Sequence, residues 1–229
     1  MFVFAWPGMD VNPFSQPRAV ARTSAQANTG KRSGACCVVF GALFFWRPGE
    51  PYGTDNELIF AWCGMLGVVL MLHFGLFRVL TGFWRSRGYD VRPIMNAPLA
   101  ATSVSDFWGR RWNTAFRDLT ARCIFRPTAR RYGSATATWA SFLFSGIVHD
   151  VVISLPAGAG YGQPTLYFLL QALAVQFERS GLAERYLLRR PIMRRAFAFA
   201  AILAPVNLLF HAPFRQDVVI PFMEACGAR

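Results

Sequence analysis

Charge is scarce in this chain, and lysine scarcer still. Only 16% of its 229 residues are Asp, Glu, Lys or Arg, where a soluble domain carries about 25%. With 54% hydrophobic residues and 15% aromatic ones, there is too little polar surface to coat an ordinary soluble fold. The composition suits a bundle of membrane helices whose outer faces meet lipid instead of water. Histidines number only three, with no clustered Cys or carboxylates beside them, so no metal site of zinc or iron type is expected. The cysteines (Cys36, Cys37, Cys63, Cys123, Cys226) are odd in number and include no C-x-x-C pair; they read as buried thiols, not a disulfide framework. No G-x-G-x-x-G is present, which removes the glycine loop of dinucleotide-binding folds.

What is abundant is arginine. The net charge is +12, and Lys31 is the one lysine among 24 basic residues. The arginines fall in the gaps between apolar segments, as the positive-inside rule expects of cytosolic loops. No nucleic-acid module accompanies them, so the partner implied is a lipid bilayer and no nucleic acid.

Residues 1–34 are rich in Ser, Asn, Gln, Gly and Pro and read as a flexible basic tail, with 35–229 as one membrane-embedded domain. The apolar run 35–46 is shorter than the ~20 residues that cross a bilayer. Residues 58–83 form a firm span, free of Asp, Glu, Lys and Arg from Leu58 to Phe77. Residues 85–134 hold ten arginines against three aspartates and belong on the cytosolic side. Within them, Trp108, Trp112, Phe116, Leu119 and Cys123 recur at helical steps. This predicts one amphipathic interfacial helix over 103–125, started by the Ser103-x-x-Asp106 capping pair and ended by Pro127. Further spans are expected at 135–155, 164–177 and 196–213, the last kinkable at Pro205. The fold class is an all-α integral membrane protein of about five spans with a cytosolic N-terminus.

An ionisable group inside a span is costly and marks function by default. His149 and Asp150, in Ser145-Gly146-Ile147-Val148-His149-Asp150, are such a pair. A neutral histidine in a dry site is a suitable general base; the competing reading is a structural histidine bonded to a neighbouring helix. His73 and His211 are read as structural or interfacial. A second constellation is Asp106-Phe107-Trp108-Gly109-Arg110-Arg111-Trp112-Asn113. On one helix Arg110, Asn113 and Arg117 would share a face, either as a phosphate clasp or as a solvated basic surface.

Together, Phe107-Trp108-Gly109-Arg110-Arg111-Trp112-Asn113 and Ser145-Gly146-x-x-His149-Asp150 resemble the paired motifs of the membrane-bound O-acyltransferase superfamily, most of all its wax synthase branch. The likeness covers roughly residues 95–215. It implies acyl transfer from acyl-coenzyme A, a co-substrate and not a cofactor, to the hydroxyl of a lipophilic alcohol. His149 matches the family's catalytic histidine and Asn113 its polar partner, with Asp150, Trp112 and Ser145 in supporting places. Charge alone suggests Arg110, Arg111 and Arg117 for the phosphates of coenzyme A. Asp150 stands where the branch commonly has Glu, and few spans precede the first motif. A compact form, a longer N-terminus, or a tunnel completed by a partner or second copy would each account for that. Other acceptors (a sterol, a secondary metabolite, a glycan hydroxyl) and a non-catalytic membrane subunit or transporter are the alternatives. The membrane would be the cytoplasmic membrane of a bacterium or the endoplasmic reticulum of a eukaryote.

Overall fold

A computed structural model describes residues 23–46, 57–186 and 189–228. Among them every regular element is helical, and three helices are long and apolar enough to cross a membrane: Ile59–Ser86, Thr114–Ala157 and Pro191–Leu209. The protein is therefore an all-α integral membrane protein. Most of the expected tail, residues 1–22, and the poorly basic segment 47–56 lie outside the described residues. The chain clusters into two compact units: residues up to Met95 together with those from Val219 on, and Asn96–Val218.

In the first unit, helix α1 (Thr23–Phe45) runs antiparallel to helix α2 (residues 57–86, with a π turn at Leu70–Leu76). Residues 23–34, expected as tail, are thus helical, and the glycines among them explain why. A Cβ on Gly34 would come 2.9 Å from the Gly75 carbonyl, and one on Gly41 2.7 Å from the Gly67 carbonyl. The two backbones meet through small residues, as close helix pairs in membranes do. The short helix Ile220–Ala225 closes this unit by laying Met223 over Gly64.

The second unit carries both motifs. Helix α3 (residues 104–111) is a turn of α-helix, Val104–Asp106, running into a π turn, Phe107–Arg111. The chain then breaks, and Thr114–Thr120 begins a long element through Ala157. Inside it, Gly133 has φ 84 and ψ 166, a region open essentially to glycine alone. Phe116 and Phe144 would stand about 42 Å apart on one straight helix at 1.5 Å per residue; their ring centroids are 6.2 Å apart and stacked. The element is a hairpin, with arms α4 (residues 114–132) and α5 (residues 134–157). This corrects the expectation of one helix over 103–125 ending at Pro127. Pro127 sits in the first turn after the π turn Ala121–Phe125, where its missing N–H costs little.

Arm α5 is the apolar one. Trp139, Leu143, Ile147, Val151 and Leu155, four residues apart, are exposed, and that stripe suits lipid. Ser145, Gly146 and Ile153 are buried on the other side. Helix α6 (Gln163–Glu178) packs there, so closely that a Cβ on Gly146 would fall 2.6 Å from Thr165 Cα. After the short α7 (Gly181–Tyr186), α8 (Pro191–Leu203) and α9 (Val206–Leu209) form one apolar stretch interrupted at Pro205, as its sequence predicts.

Nothing lies within 4 Å of a Cβ placed on Gly133, so Gly133→Ala tests backbone strain without a clash. It should cost about 1–3 kcal/mol of unfolding free energy, read from denaturation in detergent. Gly181→Ala, also in open space but without a positive φ, should change it by less than about 0.5 kcal/mol.

Candidate functional site

The first motif begins with the expected capping box. Ser103 Oγ accepts the Asp106 N–H at 2.9 Å, and Asp106 Oδ2 accepts the Thr102 N–H at 3.1 Å. Asp106 also holds Arg111 Nε at 2.7 Å. Burial pushes the Asp106 carboxyl up, but the Arg111 guanidinium, the Thr102 amide and the charge of Arg110 outweigh it and hold it below the ordinary carboxylate range. A second carboxylate serves the same helix start from afar: Glu178 accepts the N–H groups of Val104 (2.6 Å) and Ser105 (3.1 Å) and the Ser105 hydroxyl (3.2 Å). A carboxylate at a helix N-terminus is favoured by the unpaired amides and their dipole. The Phe107 and Trp112 rings stack at 5.5 Å, and Trp108 turns inward to donate its indole N–H to Gln171 Oε1 at 3.2 Å.

The motif ends at the break. Trp112 is extended, and Asn113 adopts φ 38, ψ 63 while its Oδ1 accepts the Phe116 N–H at 3.2 Å. Asparagine is among the few side chains that tolerate left-handed backbone. It starts α4, so Arg110 and Arg117 lie on different helices and do not share a face. Arg111 is committed to Asp106 and to the Ala97 carbonyl. Arg117 Nε lies 2.9 Å from Asp118. Arg110 is exposed.

The hairpin returns the chain to this place. On α5, His149 Nδ1 lies 2.7 Å from the Ser145 carbonyl. A carbonyl only accepts, so Nδ1 carries the hydrogen and the neutral ring keeps its lone pair on Nε2. The ring is half-buried, 4.5 Å from Phe168 of α6 and edge-on to Phe116 of α4 at 6.3 Å. Asn113 thus reaches the neighbourhood of His149 through Phe116, one turn along α4. Ser145 supports the histidine with its carbonyl, while its own hydroxyl bonds Ser141 O at 2.9 Å. Trp112 packs with Phe107 against Ala101 and Ile202. A π turn follows His149 directly (Asp150–Ser154), as one underlies the first motif; such turns recur at functional sites.

Asp150 faces away from His149's ring partners. Its Oδ1 accepts from Ser154 Oγ (2.9 Å) and Gly162 N–H (2.8 Å), and its Oδ2 from the N–H (3.1 Å) and hydroxyl of Thr165. It therefore ties α5 to the N-terminus of α6. Ser154 also meets His211 Nε2 at 3.1 Å, and His211 Nδ1 accepts the Phe214 N–H at 3.2 Å. With Nδ1 occupied by a donor, Nε2 holds the proton and donates to Ser154. Ser154, His211 and Asp150 are consequently a clasp and not a nucleophile–base pair. Among the described residues no three His, Cys, Asp or Glu side chains gather to hold a metal.

Gln171, Glu178, Ser154 and Thr165 were not singled out in the sequence. Gln171 had a signal, an amide in the middle of the apolar run 164–177. Glu178 acts on residues 73 and 74 places away, whereas Ser154 and Thr165 act on Asp150, 4 and 15 places away.

Two motifs meet on a helical membrane scaffold, and comparison with known proteins says what they are similar to. The model of the membrane bound O-acyl transferase family matches residues 91–171. Arabidopsis thaliana has a probable long-chain-alcohol O-fatty-acyltransferase 7 that is 28% identical over 54% of this chain and 40% of its own length. The probable long-chain-alcohol O-fatty-acyltransferase 9 of that plant is 26% identical over 89% of this chain and 61% of its own. The long-chain-alcohol O-fatty-acyltransferase of Simmondsia chinensis is 30% identical over 46% and 33%. Residues 91–171 are thus similar to the membrane bound O-acyl transferase family, and the chain spans about 40–60% of the length of the first two relatives. No solved structure matches it.

Removing the Asp106 carboxylate breaks the Arg111 ion pair and the Thr102 bond together. Asp106→Ala should speed tryptic cleavage after Arg110 or Arg111 roughly tenfold, the effect of about 1.4 kcal/mol on local opening. Equal cleavage rates in the two proteins would remove Asp106 from the motif's framework.

Proposed function

We propose that the protein transfers a fatty acyl group from acyl-coenzyme A to the hydroxyl of a long-chain alcohol. The observation that carries this is the orientation of His149: its Nδ1–H is spent on the Ser145 carbonyl, so Nε2 is the basic atom, on the hairpin arm that meets the first motif. A hydroxyl is a weak nucleophile until a base takes its proton. His149 Nε2 takes that proton as the alcohol oxygen attacks the thioester carbonyl. The new C–O bond forms, the C–S bond breaks, and the imidazolium returns the proton to the leaving sulfur as coenzyme A thiol. Asn113 serves this step with its side-chain amide, holding the hydroxyl or the oxyanion. Among the three arginines considered for the phosphates of coenzyme A, Arg110 is favoured, because Arg111 and Arg117 each stand beside a carboxylate. The relatives' names supply the acceptor class, since those proteins are long-chain-alcohol O-fatty-acyltransferases. The chain would cross the membrane several times, with the arginine-rich segments on the cytosolic side.

Membranes bearing the chain, given radiolabelled palmitoyl-coenzyme A and a panel of long-chain alcohols, sterols and diacylglycerol, should form a wax ester. His149→Ala should lower kcat at least about 100-fold without loss of folded protein. Asn113→Gly keeps the left-handed backbone at ease and costs only a few tenths of a kcal/mol as a cap. A large loss of kcat in that variant therefore reports the side chain and not the fold, and full activity would remove Asn113 from the chemistry.

A further inference from the structure

One face of α6 touches residues of both motifs. At steps of three, three and seven residues, Thr165 bonds Asp150, Phe168 lies on the His149 ring, Gln171 receives the Trp108 indole, and Glu178 caps α3. Three- and four-residue steps place these side chains in a single row along the helix.

Gln171 stands at the middle of that row and is fully buried at 0% exposure. Its orientation is fixed by its partners. The Trp108 indole can only donate, so it faces Oε1 (3.2 Å), and the Ala201 carbonyl can only accept, so it faces Nε2 (2.8 Å). The Ala201 carbonyl is open because the residue four places on is Pro205, which has no N–H to give it. Next to it, Tyr167 donates its hydroxyl to the Ile202 carbonyl at 3.1 Å. Gln171 thereby locks the first motif to the interrupted helix α8 and, through the rigid turn to Phe168, fixes the Trp108 indole relative to His149. The Trp108 ring in turn sits 5.6 Å from Phe168 and 6.2 Å from Phe142.

We propose that Gln171 is a positioning residue of the acyl transfer: it acts through Trp108 and Phe168 to hold the Asn113 motif and His149 in reacting register. The proposal rests on the acyl-transfer reading above. Displacement of a reacting group by an ångström can cost about 100-fold in rate.

Gln171→Met keeps the volume and removes both bonds. Full-length protein with this substitution, in nanodiscs, should lose roughly 10- to 100-fold in kcat with little change in KM. Its Trp108 indole 1H–15N resonance should shift upfield, and its His149 ring nitrogens should depart from the single Nδ1–H pattern of the parent. Combined with Trp108→Phe, it should be no worse than Gln171→Met alone, because both remove one interaction. Unchanged kcat, or additive losses in the double variant, would overturn the proposal. If the parent chain makes no ester at all, the acyl-transfer reading fails by itself. The resonances then decide on Gln171: a His149 ring pattern identical in parent and Gln171→Met overturns the positioning role, and a changed one upholds it.

Discussion

The reversal at Gly133 is the constraint on which the rest of the second unit depends. A straight helix from Thr114 to Ala157 would carry Asn113 and His149 to opposite ends, roughly 50 Å apart at its rise per residue. The fold-back brings Phe116 against His149 and turns the 35 residues between Asn113 and His149 into a pair of arms. The two arms have different solvents. Arm α4 carries Arg117, Asp118, Arg122, Arg126, Arg130 and Arg131, while α5 carries Asp150 as its one fully charged residue. Only the second can lie wholly in lipid, and its exposed stripe is apolar over its whole length. His149 therefore has one face left to occupy, the one that meets α4 and α6.

Once on that face, the histidine is defined by what surrounds it. An α-helix offers a side chain at position i the carbonyl four residues back, and Ser145 O takes the Nδ1 proton. No charged neighbour is needed to choose the tautomer. Asp150, adjacent in sequence, does something else: four donors from Ser154, Gly162 and Thr165 surround its carboxylate. Those donors let a carboxylate stay charged beside the bilayer. They also pin the left-handed glycine turn at 158–162 to the start of α6. The pair His149-Asp150 thus divides its labour, the first toward the motif and the second toward the scaffold.

Much of this was legible in the sequence because the penalty for burying charge is large. The segment at 135–155, its lone His-Asp pair, the following apolar run and the weakness at Pro205 all follow from where charges are missing. The capping pair Ser103 and Asp106 follows from local spacing, and the structure bonds it as the spacing requires. The single helix over 103–125 did not survive, for a local reason. Its apolar stripe continues in step through Trp112 and Phe116, so periodicity gives no warning. The break shows only in the backbone that Asn113 accepts and in the helix start at Thr114 that it caps. Pro127 looked like a terminator because proline usually is one; here a π turn ends just before it and makes it an opening residue. Gly133 left no more trace than any glycine. The pairings of Gln171 and Glu178 were hidden differently, since their partners Trp108, Val104 and Ser105 lie 63 to 74 residues away.

Helix α6 explains why such distant contacts can hold so much. In lipid, apolar packing between helices gains little from leaving water, because the alternative environment is equally apolar. Directional bonds between buried polar groups then decide register, since leaving any of them unpaired costs more than in a soluble core. α6 meets that requirement at each of its contacts. It takes α3's unpaired amides with Glu178, the open Ala201 carbonyl with Gln171, and supplies its own first amides to Asp150. Each bond answers a vacancy created elsewhere, by a helix start, by Pro205 or by a lone carboxylate. None can be satisfied in a register slipped by one residue. The motifs are thus held by the geometry of unmet backbone groups, which is the one ordering force that a lipid environment strengthens.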